Sequence, residues 1–147
     1  MEMNIYEIEG DAVVFYSFDN NASPSRLRTV STEILRKFKE WKEKIGLKRI
    51  CECGACKSLG NLTLKFIVHN NELDKIKIKN FTKLYGRGLI IVFLLLKNSI
   101  PGREYLLFTE DYLNGYTIEN EIQMFPYTHN SENFGFIKTK FINQKND

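Results

Sequence analysis

Three carboxylates lie in the middle of the apolar, strand-like stretch 5–16, which reads IYEIEGDAVVFY. Glu7, Glu9 and Asp11 are costly in a strand unless another group pairs with them. Carboxylate oxygens are the hard ligands that divalent cations such as Mg²⁺ prefer. Several roles are therefore open: a solvated hairpin tip, hydrogen bonds to backbone amides, a site for a divalent cation, or pairing with a partner chain.

Three cysteines form a CxCxxC pattern at Cys51, Cys53 and Cys56. Three thiols at this spacing can converge on one soft metal ion, and Zn²⁺ favours tetrahedral sulfur and nitrogen ligands. A fourth ligand must then come from elsewhere, and His69 and His129 are the only histidines. The same pattern also suits reduced thiols that pack a tight loop, because a thiol behaves as a small hydrophobe. A redox role is the third interpretation.

The composition is that of one globular domain, 1–147, with 43% hydrophobic and 27% charged residues. The formal net charge of +3 gives no basis for binding nucleic acid or a membrane. The longest apolar run, 89–96, is far shorter than the roughly 20 residues that span a bilayer, and the first residues do not resemble a signal peptide. Three clustered cysteines are no disulfide framework. We therefore expect a cytoplasmic protein.

One long amphipathic helix is predicted after a strand over 4–18 that is broken at Gly10. Ser23 is the expected N-cap, Pro24 the first helical residue and Gly46 the stop. Between them, apolar residues recur at spacings of three and four, which is typical of a helix with one buried face. These residues are Leu27, Val30, Ile34, Phe38, Trp41 and Ile45.

The next part of the chain predicts a loop over 49–60 and a strand over 62–69. After a turn at 70–71, alternation around Ile76 and Ile78 predicts a second strand that pairs with the first as a hairpin. The apolar stretch that follows, 89–98, is either a buried helix or a buried strand, since periodicity does not separate the two.

Two more strands are predicted near the end, over 104–109 and 133–143, followed by a frayed tail over 144–147. This order of elements predicts an α+β fold with helices on one face of a mainly antiparallel sheet.

Three stretches, in order, resemble the class III nucleotidyl cyclases, and more closely a family of uncharacterised bacterial domains similar to the cyclase catalytic domain. They read EIEGDAVVFY, LTLKFIVHNNEL and KLYGRGLIIVFLLLKNSIP, and with the intervening helix the likeness covers Ile5 to Thr109. The resemblance implies a ferredoxin-like sandwich of the cyclase type.

In the class III cyclases two aspartates hold two metal ions that grip the nucleotide triphosphate. The resemblance makes Asp11 one of these ligands, for Mg²⁺ or Mn²⁺, and Glu7 a residue that selects guanine. The first strand of the family, which carries the other aspartate in an Asp-Ile-x-Gly-Phe motif, is missing here. Ile90 and Leu94 occupy the positions where the family has an asparagine and an arginine, and neither side chain can donate a hydrogen bond.

These departures predict a catalytically inactive cyclase-like module, or pseudo-cyclase, with a regulatory role in binding protein or nucleotide. One alternative is a residual Mg²⁺- or Mn²⁺-dependent nucleotidyl cyclase that a partner chain completes. Another is a zinc-stapled interaction domain. Because the missing strand would leave an edge of 5–16 unpaired, we expect a homodimer or a partner protein that completes the sheet.

Overall fold

The computed structural model describes residues 3–18, 22–48, 51, 53–118 and 122–144. The fold is α+β. Among these residues the strands form one parallel pair and four antiparallel pairs, and short turns join three of the antiparallel pairs. The strands are β1 Asn4–Glu9, β2 Ala12–Tyr16, β3 Lys65–Val68, β4 Asp74–Ile78, β5 Phe81–Tyr85, β6 Tyr105–Thr109, β7 Phe125–Ser131 and β8 Gly135–Asn143. The helices are α1 Pro24–Lys48, α2 Gly54–Ser58, α3 Arg87–Leu96 and α4 Glu110–Leu113, with a 3₁₀ turn at Leu59–Asn61.

The main sheet has four strands in the order β3-β6-β8-β7. The β3 and β6 strands are parallel, and the other two pairs are antiparallel. All five residues of β6 are buried, because both of its faces are covered. The β1–β2 and β4–β5 hairpins form two further sheets of two strands each.

The helices pack on opposite faces of the main sheet. Ile91 and Leu95 of α3 join the cluster that contains Tyr105 and Leu107 on one face. Leu27 of α1 joins the cluster formed by the alternate residues of β6, Leu106 and Phe108, on the other. The expectation that the helices share one face is therefore wrong, because β6 presents an apolar row on each side.

The long helix begins as the sequence predicts. The backbone N–H of Arg26 donates to Ser23 Oγ at 3.3 Å, and Pro24 is the first helical residue. It does not stop at Gly46, however, and continues to Lys48. A Cβ at Gly46 would meet no heavy atom within 4 Å, and this glycine has an ordinary helical backbone.

The predicted hairpin between 62–69 and the strand around Ile76 does not form. Instead β3 pairs with β6, and β4 pairs with β5. The reason is burial. Phe66 and Ile67 pack against opposite core clusters, so β3 is part of the main sheet, where it lies at the edge beside β6. Every residue of β4 is exposed.

The apolar stretch 89–98 is helical over 89–96, as part of α3. The strands predicted at 104–109 and 133–143 are present as β6 and β8. The predicted loop over 49–60 contains α2, while residues 49, 50 and 52 lie outside the described residues.

The predicted frayed tail is wrong at its first residue. Gln144 is only 7% exposed, and its backbone N–H donates to the Glu104 carbonyl at 3.0 Å. The side-chain amide of Gln144 also donates to Ser31 Oγ on α1. Residues 145–147 lie outside the described part of the chain.

Candidate functional site

The three carboxylates of the β1–β2 hairpin lie in different surroundings. Gly10 and Asp11 form the turn between β1 and β2, and Gly10 has a φ of 60° that favours glycine. Asp11 and Glu9 are exposed at this end of the hairpin. Glu7 lies further back, and its Oε1 is 2.8 Å from Nζ of Lys83 on β5. The hydrogen bond that Lys83 donates to the Glu7 carboxylate raises the pKa of Lys83.

Two more contacts dock this hairpin on the β4–β5 hairpin. The hydroxyl of Tyr6 donates to the Leu84 carbonyl at 3.0 Å. Lys75 Nζ lies 4.1 Å from the centre of the Phe18 ring and 5.9 Å from that of Tyr16, within the range of a cation–π interaction. Sequence reasoning missed these partners, although the run of lysines on β4 and β5 opposite an acidic strand was a usable signal.

Asp11 does not belong to a metal-sized cluster of ligands in the described part of the chain. Among the residues described, the one set of three or more metal-ligating side chains close enough to share an ion is the cysteine cluster. On α3, Ile90 is 51% exposed and Leu94 is half-buried. Glu7 and Asp11 are therefore a salt-bridge residue and a turn residue in this structure.

The cysteine cluster does assemble. The Sγ atoms of Cys51, Cys53 and Cys56 all lie within 4.8 Å of one another. Cys53 immediately precedes α2 and Cys56 lies within it, so one turn of helix returns the third thiol toward the first two. The backbone N–H of Cys53 donates to Cys51 Sγ at 3.4 Å. All three residues are thiols rather than disulfide partners.

His69 is not a ligand of that cluster. Its Nδ1 lies 2.8 Å from Thr109 Oγ1, which links the ends of the parallel strands β3 and β6. Burial lowers the pKa of His69, the nearby Asp111 carboxylate opposes this shift and Arg87 adds to it. Nε2 is buried, and no group of the described residues hydrogen-bonds to it. His129 lies on β7 and does not join the thiols either.

The fold and these sites define a small α+β protein with two surface hairpins and a cluster of three thiols. The chain belongs to the family described as "Protein of unknown function (DUF2652)", whose model matches residues 1–105. The match ends where β6 begins.

The chain is also similar to "Uncharacterized protein Rv2561/Rv2562" of Mycobacterium tuberculosis (strain ATCC 25618 / H37Rv), with 29% identity over 148 residues. The alignment covers 95% of this chain and 66% of the relative, so the chain spans less than two thirds of the relative's length. No solved structure matches it. No helix within the described ranges is both long and apolar enough to cross a membrane.

Proposed function

We propose that this chain is a catalytically inactive cyclase-like module that acts by binding protein, and that its first partner is a second copy of itself. The observation that carries the proposal is the 2.8 Å ion pair between Glu7 and Lys83. This ion pair engages the Glu7 carboxylate, which would otherwise be available to bind the edge of a guanine base. Glu7 then connects two hairpins instead of binding a ligand.

The state of the other candidate residues supports the absence of catalysis. Phosphoryl transfer with two metal ions needs carboxylates that hold both ions about 4 Å apart. Asp11 belongs to no set of three or more metal-ligating side chains close enough to share an ion in the part of the chain that the structure describes. Ile90 and Leu94 cannot donate a hydrogen bond to a phosphate or a ribose.

Both hairpins expose an apolar face that suits a partner. On the first, Ile5 lies opposite Phe15 and Ile8 opposite Val13, so all four side chains share one face. The exposed fractions of these side chains run from 47% for Val13 to 68% for Ile8. Contiguous exposed apolar surface of this kind marks protein-binding sites.

The second hairpin repeats this arrangement. Ile78 lies opposite Phe81, and Ile76 and Tyr85 are on the same face. All four are exposed, with Phe81 at 73%. A two-stranded hairpin is at best marginally stable by itself in water, so an additional surface against these faces would stabilise both.

Charge favours a second copy as the occupant. The first hairpin carries Glu9 and Asp11 at its turn end, and the second carries Lys77 and Lys79 at its own turn end. In a two-fold symmetric dimer, the acidic hairpin of each protomer can pack on the basic hairpin of the other. Among the described strands, β2 and β3 are each paired on one side only, so each has a free edge. A strand of the same partner can pair with such an edge and form a second contact.

Sedimentation velocity over a wide range of concentration tests this proposal. We expect a monomer–dimer equilibrium that Phe81→Glu shifts toward monomer. Phe136→Glu is the matched control, because Phe136 is 75% exposed on β8, far from both hairpins in sequence. A wild-type chain that stays monomeric at the highest concentration would overturn the homodimer.

The residual enzyme, a Mg²⁺- or Mn²⁺-dependent cyclase completed by another chain, is the alternative function. Thermal unfolding with and without GTP, with Mn²⁺ in both samples, separates the two. A ligand at 100 times its dissociation constant stabilises by about 2.7 kcal/mol, which is on the order of 5–10 °C in Tm for a chain of this size. A shift that Asp11→Ala abolishes, followed by turnover of GTP, would establish the enzyme instead.

A further inference from the structure

The thiols of Cys51, Cys53 and Cys56 have the geometry of a metal site before any ion is added. Zn–S bonds are about 2.3 Å long, so the sulfur atoms of a tetrahedral site lie roughly 3.8 Å apart. All three sulfur atoms lie within 4.8 Å of one another, so no pair exceeds this spacing by more than about 1 Å.

The described backbone that follows Cys53 is held by hydrogen bonds. Lys42 of α1 donates from Nζ to the carbonyls of Gly60 and Leu62, at 3.0 and 2.6 Å. These bonds fix the segment after α2 to the long helix. The Lys57 N–H donates to the Cys53 carbonyl at 3.0 Å, which closes the turn that carries Cys56. Cys53 and Cys56 are therefore carried by a hydrogen-bonded turn.

The sulfur environment favours a bound ion over a packing role. Cys51 and Cys53 are exposed, whereas a thiol that acts only as a small hydrophobe is normally buried. The N–H of Cys53 points its hydrogen bond at Cys51 Sγ. Hydrogen bonds from backbone amides to sulfur stabilise the negative charge that a ligating thiolate carries.

We propose that Cys51, Cys53 and Cys56 bind one thiophilic d¹⁰ metal ion as thiolates, with a fourth position left open to solvent. Zn²⁺ and Cu⁺ share the chemistry that three thiolates select. With Zn²⁺ a water completes the tetrahedron, whereas Cu⁺ is satisfied by three sulfur ligands. No histidine or carboxylate of the described residues lies close enough to close the site. This proposal is independent of the dimer and of any nucleotide.

The test uses the full chain, reduced and without metal, titrated under argon with Zn²⁺ and with Cu⁺ in separate arms against a chromogenic chelator. We expect one equivalent to bind and to protect all three thiols from a thiol-reactive dye. The dissociation constants from the two arms show which of the two ions the site binds more tightly. Cys53→Ser should weaken binding by at least about 100-fold, since even outer partners of metal ligands are worth 10–100-fold.

Ser58→Ala, two residues beyond Cys56, is the matched control and should bind as the wild type does. The three cysteines do not belong to the core clusters, so we expect the variants to fold, and far-ultraviolet circular dichroism of each variant checks this. The proposal fails if the protein competes with the chelator for neither ion. It also fails if the variant with all three cysteines changed to serine binds equally well.

Discussion

Nζ of Lys83 lies 2.8 Å from Oε1 of Glu7, and 76 residues of chain separate the two. The pair joins the first hairpin of the fold to the second. Both side chains are partly exposed, at 54% and 38%, so water and salt reach the pair. The carboxylate in the apolar strand therefore holds a neighbouring element of the same chain.

Neutralising this pair should weaken the contact between the hairpins. We expect Glu7→Gln to lower the midpoint of urea unfolding slightly, and the loss to shrink when the salt concentration rises from about 0.1 M to about 1 M, because the Debye length falls from about 10 Å to about 3 Å. Glu9→Gln is the control, since no ion pair involves Glu9 among the described residues. An equal effect of both variants at every salt concentration would argue against the pair.

Two glycines should respond in opposite directions to the same change. A Cβ at Gly88 would lie 2.8 Å from Asn71 Cβ and 3.4 Å from His69 Cδ2. Gly88→Ala should therefore destabilise the fold by about 1–3 kcal/mol, as overpacking does. Gly46→Ala, in open space on α1, should stabilise it by about 0.5–1 kcal/mol. Denaturant unfolding of both variants checks the pair, and a neutral Gly88→Ala would mean that the His69 end of β3 is loosely packed.

Stability should fall as the solution is acidified through the range where histidine titrates. Burial lowers the pKa of His69 in the folded chain, so the unfolded chain takes up a proton first, near pH 6.5. The contribution of His69 to the free energy of unfolding is therefore complete above about pH 6.5. It is lost as the pH falls toward the lower pKa that His69 has in the folded chain. His69→Asn should flatten this decline relative to wild type.

The control for that pH profile is His129→Asn, which changes the other histidine and should leave the decline in place. Chemical unfolding at a series of pH values from about 5 to about 8 makes the comparison. Parallel profiles for wild type and His69→Asn would show that other groups cause the loss.

Adjacent leucines on α3 provide a test of the core. Leu95 is fully buried among the side chains of β6 and β8, whereas Leu96 is 37% exposed. Leu95→Ala should cost about 2–5 kcal/mol, because it removes buried methyl groups and leaves a cavity. Leu96→Ala should cost less than about 1 kcal/mol. Similar losses from the two changes would mean that α3 sits on the sheet in a different rotation.

The local elements could be predicted because their signals are local. The Ser23-Pro24 start and the apolar spacing of α1 describe a helix by themselves, and the structure has it. The CxCxxC spacing likewise indicated that the three thiols can converge, and in the structure they do. In both cases the residues that decide the geometry are close neighbours in the chain.

The pairings that join distant segments could not be predicted in this way. The β3 strand was expected to pair with the strand that follows it, but burial on both faces places it beside β6, about 40 residues later. The β5 and β7 strands were missed because FTKLY and FPYTHNS show no clean apolar alternation. Lys83 was missed as the partner of Glu7 because the two residues are distant in the chain. Only the docking of the two hairpins brings them together.

The position of β8 constrains how the chain can fold while it is being synthesised. This strand follows the other described elements in the chain, yet it lies between β6 and β7. It contributes Ile137 and Phe141 to one core cluster and Ile142 to the other. A nascent chain that has emerged only as far as residue 134 already contains both surface hairpins, but its β6 has an open edge and an unfilled core. The main sheet can therefore close only after β8 has emerged from the ribosome.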